Sequence, residues 1–119
     1  MSDAAVLEEP IVERKPSERT RDEQKPRRQP PYVVIVHNDN DHTFDYVIEL
    51  LQRVCGHPLE KAVELTFTVH NAGQAAVWTG PREVAELKRD QIRGFGPDLY
   101  ARKPVRFPLG VTIEPLPQP

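Results

Sequence analysis

YVVIVHNDNDHTFDYVIELL, residues 32–51, decides how this chain is read. Its first part, Tyr32 to Val36, is an apolar run rich in β-branched side chains, which suit a covered, pleated surface and predict a buried strand. The run stops at six polar residues, His37-Asn38-Asp39-Asn40-Asp41-His42. Beyond them Phe44, Val47, Ile48, Leu51, Val54 and Cys55 recur at helical spacing and form one apolar face. Hydrogen-bond acceptors are thus held at a strand-to-helix junction beside a hydrophobic wall, and loops set between rigid elements often carry binding chemistry. Taken alone, the cluster also has a purely structural reading. Asn and Asp end strands and cap helices, and Asp41 or Thr43 would serve as N-cap of the helix that follows.

Working outward, Gly56 stops that helix at Cys55. His57-Pro58 starts another, because proline suits a helix start and Glu60 favours its positive end. In it Ala62, Leu65, Thr66 and Val69 share one face, with Val63 and Phe67 beside it, and Gly73 supplies the left-handed cap after His70. Two helices so closely joined predict an antiparallel hairpin. Gln74–Thr79 reads as a second strand. Gly80-Pro81 opens a third helix with Val84, Leu87 and Ile92 inward, closed by Gly94. Residues 94–110 are loop-rich, and Val111–Glu114 forms the last strand. The order β-α-α-β-α-β predicts an α+β fold, a small antiparallel sheet covered on one face by three helices.

Residues 1–31 read differently. Seven acids and seven bases cancel there, five prolines interrupt the segment, and apolar residues are too sparse to offset the entropy of ordering it. They are expected to form a disordered tail before a core at residues 32–116. The whole chain, 119 residues, suits one domain. Its formal charge of −2 leaves no electrostatic footprint for a phosphate backbone, so nucleic acid is not an expected partner. Cys55 is the only cysteine, which excludes a disulfide framework and a thiolate zinc cluster and fits a reducing, cytoplasmic compartment. Neither a leader nor an apolar run long enough to cross a bilayer is present, so no membrane is expected.

Nucleophilic catalysis finds little support. The serines, Ser2 and Ser17, lie in the tail, and Cys55 on an apolar helix face is a small hydrophobe. The histidines and aspartates His37, Asp39, Asp41, His42 and His70 match no metal-binding spacing, so a His/Asp metal-dependent enzyme ranks last and no cofactor is expected. Recognition remains. Asn38, Asp39 and His70 offer an amide oxygen, a carboxylate and an imidazole nitrogen, acceptors suited to the three donors and positive charge of a free α-ammonium. Phe44, Val47, Thr66 and Val69 supply apolar surface beside them.

These residues resemble a known family. The segments VIVHND, FDYVIELLQRV, EKAVELTFTVHNAG and REVAELK are similar to those of the ClpS adaptors, and the likeness runs from Tyr32 through Lys88 and again from Pro108 to Glu114. The resemblance implies a non-enzymatic adaptor that binds N-terminal Leu, Phe, Tyr or Trp (N-degrons) and delivers the substrate to a Clp AAA+ unfoldase of ClpA or ClpC type. It implies that Asn38, Asp39 and His70 hold the α-amino group. His42, Phe44, Val47, Thr66, Val69 and Leu109 would line the side-chain pocket. Glu83 and Lys88 would belong to the unfoldase-docking surface, the tail would engage the unfoldase, and the chain would act as a monomer. A second reading keeps the fold as an interaction domain that regulates a Clp unfoldase without binding N-degrons. The chain also departs from the family pattern. Asn40 stands where a second aspartate is common, Phe44 and Thr66 replace methionines, Trp78 and Gly80-Pro81 precede the third helix, and the segment Arg93–Pro108 is longer, with Arg93, Arg102, Lys103 and Arg106.

Overall fold

A computed structural model describes residues 29–117; the expected tail therefore lies almost wholly outside the described residues. The elements are β1 (Tyr32–His37), α1 (Phe44–Cys55), α2 (Leu59–Ala72), β2 (Gln74–Gly80), α3 (Arg82–Arg93) and β3 (Val111–Pro115). The sheet order is β2-β1-β3, with both pairings antiparallel. This is the expected α+β architecture, with boundaries within a residue or two of those read from sequence.

β1 is the central strand, which explains its unbroken apolar run. Val34 and Val36 are completely buried and join Ala75, Val77 and Val111 in the core beneath the helices, while Val33 and Ile35 on the other face are also buried. Leu50 and Leu51 of α1 are completely buried as well, and each such side chain contributes about 1.5–3 kcal/mol. Thr43 is the N-cap of α1, its hydroxyl accepting the Tyr46 N–H at 3.2 Å. Gly56 and Gly73 close α1 and α2 with φ of 75° and 91°, the left-handed region that glycine enters without a Cβ clash.

One inward assignment changes. Leu87 of α3 faces solvent, and Ala85 takes the buried position instead. α3 packs against α1 and all three strands through the face that carries Ala85 and Ile92, seven residues apart, and Leu87, two residues from Ala85, lies on the other side of the helix. Cys55 is half-buried, and burial pushes its thiol up to about 11 despite Lys88 nearby, so it stays protonated at neutral pH.

The β1–β2 register slips between Val34 and Ile35, leaving Val77 unpaired between Ala76 and Trp78. The bulge turns both Val77 and Trp78 toward the helices, where the Trp78 ring packs on the core with the Lys88 ammonium 5.9 Å from its centroid. Gly80 makes room for that ring: a Cβ at this position would overlap the Trp78 indole. Gly80→Ala is expected to cost about 1–3 kcal/mol by overpacking. Urea unfolding would measure it, and a shift in Trp78 fluorescence should accompany the loss.

Candidate binding site

The polar loop after β1 is sewn down on both sides. The His37 N–H donates to the Gly110 carbonyl at 2.9 Å, and the Asn38 N–H donates to the Gly73 carbonyl at 2.9 Å. The second bond brings the end of α2 to the end of β1, because Gly73 turns the chain directly into β2 and His37 pairs with Gln74. His70, on the last turn of α2, is thereby carried beside Asn38.

A hollow of about 170 Å³ opens between them. Its polar rim is Asn38, Asp39, Asn40, His42 and His70, and its apolar wall is Phe44, Val47, Thr66 and Val69. Val47, Thr66 and Val69 are buried, and the Thr66 hydroxyl donates to the Ala62 carbonyl at 2.7 Å, so its donor is already used. The Phe44 ring meets Phe67 and His70 edge-on, at centroid distances of 5.0 and 5.1 Å, which fixes the aromatic side of the mouth. Of the residues assigned to the pocket from sequence, Leu109 alone does not line it. Leu109 is only 2% exposed and belongs to the hydrophobic core.

Asp39 is more heavily engaged than the sequence suggests. Its Oδ1 accepts the backbone N–H groups of Asp41 and His42 at 2.9 and 2.8 Å, and its Oδ2 accepts from His42 Nδ1 at 2.7 Å. Burial alone would push this carboxyl up; the backbone N–H groups of His42 and Asp41 and the His42 ring outweigh it and hold it below the ordinary carboxylate value. Asp39 lines the hollow, and Oδ2, with this one hydrogen bond among the described residues, keeps acceptor capacity. Asn40, exposed at the rim and assigned no role from the sequence, adds an amide acceptor; the hints were its place in the acceptor run and the aspartate common there in the family. His42 is held on both sides, its Nε2 lying 3.0 Å from the Phe107 carbonyl oxygen, with its ring between those of Tyr46 and Phe107 at 5.0 and 5.1 Å. The remaining histidines point elsewhere. His37 pairs with the Thr112 hydroxyl at 2.7 Å, His57 donates to the Val77 carbonyl at 2.6 Å, and among the described residues no group of His, Cys, Asp or Glu is arranged to hold a metal ion.

A family model described as "ATP-dependent Clp protease adaptor protein ClpS" matches residues 27–110. The chain belongs to the ClpS family. Similar relatives include ClpS adapter proteins of Pectobacterium carotovorum, 37% identical over 97 residues covering 80% of this chain and 86% of the relative, and of Nostoc sp., 47% identical over 68 residues covering 56% and 70%. Among solved structures, Agrobacterium tumefaciens ClpS2 bound to L-phenylalaninamide aligns with a TM-score of 0.64 and 28% identity, over 75% of this chain and all of that one. ClpS membership makes this chain an adaptor of an ATP-dependent Clp protease. No helix among the described residues is long and apolar enough to cross a membrane.

The two ClpS residues assigned to docking differ in availability. Glu83 is exposed at the start of α3. The Lys88 ammonium instead donates to the Val54 carbonyl at 2.8 Å, at the C-terminal end of α1 where a cation is favoured, and so is largely spent inside the fold.

Proposed function

We propose that the hollow receives the first residue of a substrate chain, an N-degron, which this adaptor delivers to the AAA+ unfoldase of its Clp protease. The carrying observation is one hollow with unsatisfied acceptors at its mouth and an apolar wall behind them. Asn38, Asn40 and His70, with the remaining acceptor capacity of Asp39, hold the α-ammonium; Phe44, Val47, Thr66 and Val69 surround the side chain. The ClpS2 structure with bound L-phenylalaninamide supports this reading, since that ligand has a free amine on an aromatic residue. Size refines it. A cavity of about 150 Å³ accommodates benzene, so the hollow here has room for a side chain the size of Phe or Leu. Docking on the unfoldase falls to the exposed start of α3 around Glu83, with Lys88 bracing it from beneath.

Burying the side chain contributes about 1.5–3 kcal/mol. Charge-assisted hydrogen bonds to the ammonium contribute a similar amount, about 1.5–3 kcal/mol, and reject chains whose amine is blocked. The test is anisotropy titration with labelled peptides that differ only at the first residue. Phe- and Leu-started peptides should bind, and N-acetylation of the Phe peptide should weaken it by about tenfold or more. Equal affinities for free and acetylated peptides would overturn the proposal and leave an interaction domain that does not read the N-terminus.

A further inference from the structure

Among the described residues the cations fall into two sets. Arg53, Lys61, Arg82 and Arg89 pair with carboxylates, and Lys88 and Arg93 donate to the backbone carbonyls of Val54 and Val111. Arg102, Lys103 and Arg106 are exposed and have no partner among the described residues. No Asp or Glu occurs between Asp98 and Glu114 to neutralise them. Asp98 itself is fully buried and bonded to Thr43 and Tyr100.

The segment that carries these three charges is tied to the rim of the hollow through Phe107 and His42. Asp98 and Val105 exchange both backbone hydrogen bonds, at 2.8 and 3.1 Å, closing a small hairpin with Arg102 and Lys103 near its tip. One leg is pinned where Asp98 accepts the Thr43 N–H at 2.7 Å. The other leg continues through Arg106 to Phe107, whose carbonyl oxygen lies 3.0 Å from His42 Nε2 and whose ring packs on the imidazole. His42 lines the hollow. Phe107 and Arg106 therefore lie next to one side of the mouth through which a bound chain would leave.

We propose that the Arg102–Arg106 hairpin selects substrates by charge, favouring acidic residues at the positions that follow the first. This deepens, and rests on, the first-residue reading above. Of the acids nearby, Asp39 is assigned to the ammonium and Glu49 is occupied by Arg53 and the Tyr100 hydroxyl, which leaves Asp41 and Asp45 exposed against three cations unpaired among the described residues. Exposed charges are screened over about 8 Å at physiological ionic strength, so the selection acts on the first few residues beyond the mouth.

The experiment uses the full chain and three labelled peptides that begin with Phe and continue with three glutamates, three serines or three lysines. The glutamate peptide should bind about three- to tenfold more tightly than the serine peptide in low salt, with the gap shrinking as salt rises. The triple variant Arg102→Gln/Lys103→Gln/Arg106→Gln should close that gap and leave the serine peptide unchanged; circular dichroism would verify its fold. Equal binding of all three peptides, tighter binding of the lysine peptide, or an undiminished gap in the triple variant would each overturn the proposal. So would a variant that keeps its discrimination among peptides but loses affinity for a Clp unfoldase, which would give the hairpin to that partner. If the serine peptide fails to bind at all, the first-residue reading fails; if it binds and charge makes no difference, only this inference does.

Discussion

His70→Ala is expected to weaken binding of a Phe-started peptide about 10- to 150-fold, the loss of one charge-assisted hydrogen bond worth about 1.5–3 kcal/mol. The fold should survive, because the His70 side chain is exposed and its only contact of note is the edge of Phe44. Unfolding midpoints of parent and variant should therefore agree while their affinities diverge. Asp39→Ala should abolish binding by a different route. It removes the acceptor for the Asp41 and His42 N–H groups and for the His42 ring, so the loop that presents Asn38 and Asn40 loses its shape along with one ligand. The two variants separate in amide spectra: His70→Ala should perturb resonances near α2, and Asp39→Ala those of the whole 38–43 loop and of Phe107. An unaltered affinity in His70→Ala would remove the imidazole from the proposed ammonium site.

The second large effect is on stability. Asp98 has no solvent exposure, yet its carboxylate accepts the Thr43 N–H at 2.7 Å, the Thr43 hydroxyl at 3.1 Å and the Tyr100 N–H at 3.0 Å. By accepting the Thr43 hydroxyl proton it also leaves that oxygen's lone pair for the Tyr46 N–H, completing the N-cap of α1. A negative charge at this end of a helix is favoured by the helix dipole. Asp98→Ala strands these donors in a buried site, and the expected cost is about 2–5 kcal/mol. For a domain of this size that lowers the unfolding midpoint by roughly 10 °C or more. Asp98→Asn keeps one acceptor oxygen and the shape, so it should lose less. A calorimetric midpoint for Asp98→Ala close to that of the parent would show that the long loop is not what holds the start of α1.

Much of this was legible before any coordinates. β1 reads as a buried strand because its β-branched run belongs to a central position, and both helix ends at Gly56 and Gly73 are signalled by the residue that best tolerates a left-handed turn. The α2 face of Ala62, Leu65, Thr66 and Val69 follows from spacing alone, and those four are the buried residues of that helix. Errors arose where a residue's surroundings come from a distant segment. Leu87 fits an apolar helical pattern with Val84, but the packing of α3 turns the Ala85–Ile92 face inward and leaves Leu87 on the solvent side. Asp98 drew no notice, since nothing near it in sequence announces that a loop aspartate will cap a helix 55 residues earlier.

By itself, then, the sequence determined the order of elements, their caps and the presence of an acceptor-rich loop beside an apolar helix, because each depends on residues within a turn or two of one another. Only the tertiary structure decided which acceptors meet and which remain free, since the Asn38–Gly73 bond brings His70 beside the loop and His42 is committed to Phe107, 65 residues further along the chain. Periodicity is a local property; the occupancy of a lone pair depends on how remote segments pack.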